Sequence, residues 1–152
     1  HFSFSQLSQR YVDESQVGFV LPPEIAEGSP AFDVWKQSCE RALEDYRQLL
    51  AKIEEQVKDE PSATLRRKRA RQTARSLLPN AVETKLVVTA NARAWRHFIE
   101  LRGSSGADTE IRLLALAVLR TLHEEAPNLF GDYRICRDEN GIEVVQTDFP
   151  SV

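Results

Sequence analysis

The sequence predicts an α+β fold of short strands and four main helices, on three observations. Apolar residues recur at three- and four-residue steps over 35–57, the mark of an amphipathic helix. The segment ETKLVVTAN (83–91) is rich in Thr and Val, as strands are. Near the end, DYRICRDENGIEVVQ alternates on both sides of Asn140-Gly141, a hairpin pattern. At 152 residues the chain has the length of a single domain, taken as 1–152, with enough side chains to bury a core.

Each element has a local cause. Side chains two apart point the same way in a strand, so Phe2, Phe4, Gln6, Ser8 and Arg10 share one face of an opening strand over 2–11. The two phenylalanines imply that this face is partly covered. Pro22, Pro23, Gly28 and Pro30 make 12–30 a loop. Ser29 before Pro30 is an N-cap with a first-turn proline, and helix follows to about residue 58. A break at 59–62 leads to a second helix over about 63–77, stopped by Pro79 and Asn80. After the strand at 83–91, Asn91 caps a third helix over 92–102, and Gly103 is its C′ residue. The fourth helix, about 108–125, is so dense in Leu and Ala that burial all round is expected; Pro127 ends it.

Composition excludes several classes. No run of ~18 apolar residues suggests a membrane helix, and the polar-alternating start is no signal peptide, so a cytoplasmic protein with no membrane partner is expected. Cys39 and Cys136 are far apart and lack His neighbours at ligand spacing, so they read as structural thiols, with no metal site. Net charge is −3, yet Arg66, Arg67, Lys68, Arg69, Arg71 and Arg75 form a cationic run without an acid. That distribution suits a local anion site better than a surface for nucleic acid, which also lacks aromatic interleaving here.

Three places carry chemistry. On the third helix Trp95, Phe98, Ile99 and Arg102 fall on one stripe, so a guanidinium ends a core-facing row and wants an anion; a dipole-compatible cation with a snorkelling stem is the plain alternative. The other face gathers Arg93, His97 and Glu100, which by spacing alone reads as a surface imidazole beside a carboxylate. On the second helix Arg71 and Arg75 share a face, and planar guanidinium forks match phosphate bidentately. Gln6, Ser8 and Arg10 then add an amide, a hydroxyl and a third guanidinium from the opening strand. A phosphorylated small molecule is the common ligand these groups suggest.

In these residues the chain resembles the flavin-dependent thymidylate synthases. Their signature is Arg-His-Arg, seven residues, Ser, one residue, Arg; HFSFSQL supplies the seven, followed by Ser8, Gln9, Arg10 and Tyr11. The likeness continues through LRRKRARQTARSLLPN, TANARAWRHFIELR and DTEIR, across essentially the whole chain. It implies the C-terminal part of that family's α+β fold, and reductive methylation of deoxyuridylate (dUMP) to thymidylate (dTMP) with methylenetetrahydrofolate and NADPH through FAD. It also implies a homotetramer with sites between subunits. By resemblance Gln6, Leu7, Ser8, Gln9 and Arg10 match the dUMP-binding segment, with Ser8 and Arg10 near the phosphate. Arg75 matches a further nucleotide-binding arginine, and Arg102 the arginine that favours ionisation at uracil N3. Asn91, Ala92, Arg93 and His97 match flavin contacts, as does Gln6, which replaces the plain surface reading of His97.

Two departures stand out. The pattern L-R-x-x-x-H-A of the family reads LRGSSGA here, with Gly106 in the histidine's place. The Arg-His-Arg of the signature is not among these 152 residues, so an N-terminal portion is expected to be missing and the polypeptide to be inactive alone. The alternatives are a phosphate or nucleic-acid binding module built on the basic helix, and a degenerate paralogue that has lost flavin.

Overall fold

The computed structural model of the chain describes residues 1–8 and 11–150. Its elements are β1 (Phe2–Gln6), α1 (Pro30–Gln56), α2 (Ala63–Ala74), a 3-10 turn (Arg75–Leu77), β2 (Leu86–Ala90), α3 (Ala92–Arg102), α4 (Thr109–Glu125), a short α5 (Pro127–Phe130), β3 (Tyr133–Arg137) and β4 (Glu143–Thr147). This is the α+β arrangement expected, with the four main helices in place. Two compact units emerge, Ser5–Val87 in one and His1–Phe4 with Val88–Val152 in the other. Strand β1 pairs with β2, and β3 with β4.

Within Ser5–Val87, α2 packs along α1. The caps behave as their residue types dictate: Ser29 Oγ accepts from Phe32 N at 3.1 Å, and Ser62 Oγ from Leu65 N at 3.4 Å. Tyr46 and Cys39 are buried on α1, while fully buried Ala70 and Ala74 let the α2 backbone come close. The last turn expected of the second helix tightens into the 3-10 turn, because Leu78 leaves helical geometry just before Pro79. The loop after the opening strand is tied to α1, with Arg47 Nε donating to Ser15 O at 2.9 Å.

In the other unit the core gathers Ile99 of α3, Leu119 of α4, Phe130 and Tyr133. Phe2 stands edge-on to Trp95, with ring centroids 5.3 Å apart, so part of the opening strand covers the α3 stripe. The hairpin is antiparallel, with Tyr133 opposite Thr147 and Arg137 opposite Glu143. Its loop is longer than a two-residue turn: Asp138 Oδ1 accepts from Asn140 N and Ile142 N at 2.9 Å each, and Gly141 takes φ +76. No helix among the described residues is long and apolar enough to cross a membrane.

Several expectations need correction. Among the described residues the opening strand ends at Gln6, and Tyr11 N and Val12 N both donate to Ser8 O; the rest of the expected strand at 9–10 lies outside the described residues. Phe4 on the supposedly covered face is 64% exposed, although it stacks on Phe2. The second strand is shorter than 83–91. Gly103 is not a left-handed C′ residue, since its φ is −84; glycine is needed there because a Cβ would lie 2.5 Å from Val145 Cγ2. Finally, α4 is not buried all round: Ala115, Leu116 and Leu119 are, but Leu113 and Leu114 are about half exposed.

Candidate functional site

The expected residues fall into both units. In Ser5–Val87, pairing continues one residue beyond β1, where Leu7 N donates to Lys85 O at 2.9 Å. Gln6 and Leu7 are exposed and Ser8 is half-buried at the turn. Gln9 and Arg10 lie outside the described residues. Arg75 opens the 3-10 turn at the end of α2 and is exposed.

The basic helix is largely spent on its own chain. Arg66 Nη1 donates to Glu60 O at 2.7 Å, and Arg69 pairs with Glu60 Oε2 at 3.1 Å. Arg71 Nη1 donates to Tyr11 O at 2.6 Å, and its Nη2 meets Asp13 Oδ2 at 3.4 Å. Lys68 Nζ lies 5.1 Å from the Tyr11 ring centroid. Among the described residues Arg67 and Arg75 alone of the run have no such partner. Arg71 therefore straps α2 to the segment at Tyr11 and Asp13, and Arg75, one turn further along the helix, is left facing outward. Sequence spacing put these two arginines on one face, whereas the structure separates a strap from a free guanidinium.

Leu7 also lines a cavity of about 250 Å³ with Val12, Asp13, Glu14, Thr84 and Lys85, among others. Its rim is acidic. Glu14 is 5% exposed, and burial, followed by the nearby Asp13, pushes its carboxyl above the ordinary range.

In the other unit α3 carries the remaining residues. Asn91 is the N-cap expected, its Oδ1 accepting from Ala94 N at 2.9 Å. The N–H groups of Ala92 and Arg93 in the first turn have no carbonyl behind them within the helix. With exposed Arg93 alongside and no acid in that turn, this end of α3 suits an anionic group. Arg93 and His97 lie on one exposed side. Arg102 is exposed too, so it is not the covered end of an apolar row; nine residues from Arg93, it lies about half a turn round and roughly 13 Å along the axis. A ligand touching both ends of α3 must span that distance. Gly106 is exposed, and a Cβ there would meet nothing within 4 Å, so space does not exclude a histidine at this position.

A side-chain network missed in the sequence lies behind this helix. Arg96 and Asp132 form a bidentate pair, and the Tyr133 hydroxyl donates to Glu100. The Arg96 hydrogen bond, supported by Thr147, holds the Asp132 carboxyl far below the usual carboxylate range. Burial, then the Glu100 bond, raises the Tyr133 phenol well above its ordinary value. No spacing rule could find these pairs, since the partners are separated by 36 and 33 residues.

Comparison with known proteins bears on what these arrangements serve. The family model described as thymidylate synthase complementing protein matches residues 1–128. A flavin-dependent thymidylate synthase of Mycobacteroides abscessus is 50% identical over 144 residues, covering 95% of this chain and 58% of the relative. Proteins of the same name from Mycolicibacterium vanbaalenii and Mycobacterium avium are each 49% identical over the same length. The chain thus spans 58% of the length of these relatives. With the model matching most of its residues, the chain belongs to the thymidylate synthase complementing protein family, in which its similar relatives are named flavin-dependent thymidylate synthases.

Proposed function

We propose that this chain forms part of a flavin-dependent thymidylate synthase. The protein would methylate dUMP to dTMP, with methylenetetrahydrofolate as the carbon donor and NADPH as the reductant. The observation that carries the reading is the family match across residues 1–128, which contains every expected site residue. Bound FAD would supply the hydride chemistry, and the protein's part is to bind, orient and polarise.

Ser8, Arg10 and Arg75 hold the nucleotide phosphate, with Gln6, Leu7 and Gln9 along its edge. An outward guanidinium without an internal partner, as at Arg75, is free for that role. Asn91, Ala92, Arg93 and His97 face the flavin, Gln6 touches it, and the donor-rich start of α3 receives its anionic part. Arg102 opposes negative charge at uracil N3, where a fixed guanidinium in a water-poor site is most effective. Its exposure in the single chain accords with sites completed between the subunits of a homotetramer. The nucleic-acid reading loses ground because most of the basic run is committed internally. The degenerate reading keeps one supporting observation, Gly106 in place of a histidine.

The test is made on the protein carrying this chain behind the Arg-His-Arg of the signature. A yellow protein that converts dUMP to dTMP with the two co-substrates is expected, and Arg102→Ala should lower kcat by about 10²-fold or more. A colourless protein that takes up no added FAD would favour the degenerate paralogue.

A further inference from the structure

Arg96 is held more firmly than packing requires. Its Nη1 and Nη2 donate to Asp132 Oδ1 and Oδ2 at 2.6 and 2.8 Å. It also reaches the carbonyls of Leu129 at 2.8 Å and Phe149 at 3.2 Å, and its guanidinium carbon lies 4.4 Å from the Tyr133 ring centroid. Asp132 is fixed in turn: Thr147 Oγ1 donates to its Oδ2 at 2.5 Å and accepts from Phe149 N at 3.1 Å. Further along α3, Glu100 accepts the Tyr133 hydroxyl, and Gly103 O accepts from Val145 N at 2.8 Å. All these partners of α3 follow residue 128, the last one matched by the family model.

We propose that Asp132 is a positioning residue: through Arg96 it sets the rotation of α3, and so the directions in which Arg93, His97 and Arg102 meet nucleotide and flavin. The proposal rests on the function proposed above. Apolar packing of Ile99 against Leu119 and Phe130 holds the helix to the core, but burial is non-directional and tolerates a roll. A planar two-bond fork does not. At roughly 6 Å from the axis, a roll of about 20° moves a side-chain tip by about 2 Å. A misplacement of about 1 Å can cost on the order of 10²-fold in rate. The pair is largely covered, so it contributes to stability as well as to direction, and the test separates the two by where exchange changes.

The test uses the flavin-loaded full-length protein with Asp132→Asn, and with Thr147→Val as a milder variant should the first fail to fold. Asp132→Asn is expected to lower kcat about tenfold or more with little change in the KM for dUMP. It should also speed amide hydrogen exchange over residues 93–98 more than over α4 or the hairpin, and weaken the flavin absorbance change on adding dUMP. Thr147→Val should show the same pattern, smaller, and Asp132→Glu should recover part of kcat. Folded variants with wild-type kcat, exchange and spectrum would overturn the proposal. So would a loss of kcat accompanied by faster exchange throughout α4 and the hairpin, which marks general loosening. A wild-type protein that binds neither flavin nor dUMP would overturn the proposed function first, before any variant is compared, and this inference with it.

Discussion

At the scale of single residues, two glycines within one short loop obey different constraints. Gly103 is buried where β4 crosses the end of α3, and a Cβ there would lie 2.5 Å from Val145 Cγ2 and 2.6 Å from Ile99 O. Gly103→Ala is therefore expected to destabilise the fold by about 1–3 kcal/mol, read from urea unfolding. Gly106→His meets open space and should leave unfolding within about 0.5 kcal/mol, while raising flavin affinity if the histidine of the family pattern contacts flavin. Glu14 carries a pH prediction. Its folded-state pKa is raised above the unfolded value near 4.5, so the native state binds the proton more tightly than the unfolded chain does. Its contribution is fully favourable below that value and is lost as pH rises through the folded pKa. Glu14→Gln should consequently gain stability relative to the parent as pH rises above about 4.5, measured as the midpoint of urea unfolding.

At the scale of elements, α2 divides its cations between two tasks that spacing cannot separate. Arg71 binds Tyr11 O and Asp13, whereas Arg67 has no such contact among the described residues. Arg71→Ala should cost about 1 kcal/mol, because the bonds to Tyr11 O and to Asp13 are lost together. Arg67→Ala should stay within about 0.5 kcal/mol in the same urea titration. Helix α4 teaches the complementary lesson. Its composition implied burial on every side, yet Leu113 and Leu114 are about half exposed while Ala115, Leu116 and Leu119 are buried. Composition reports how apolar a helix is; the number of neighbours packed on it decides how many of its faces are covered.

At the scale of the whole molecule, Arg75 and Arg102 are the exposed arginines proposed to meet the nucleotide. Arg75→Ala and Arg102→Ala should each weaken dUMP binding about tenfold or more, since each removes a bond to a charged or charge-developing group. Calorimetry on the flavin-loaded protein checks this, and unchanged affinity in either variant would remove that arginine from the site. Additive losses would mean that the two contacts act independently, and a smaller combined loss that they share one geometry.

The sequence by itself determined the elements whose causes are local. Ser29 and Asn91 cap the helices they precede because a short polar side chain reaches an N–H two or three residues on. The extent of α3 and the hairpin around Gly141 followed from period and turn chemistry, and the family from the joint spacing of its motifs. Only the tertiary structure decided which arginines are spent and which are free, why Gly103 must be glycine, and that Arg96 is clamped by Asp132. Those outcomes depend on groups dozens of residues apart meeting within hydrogen-bond distance, and sequence periodicity carries no information about such meetings.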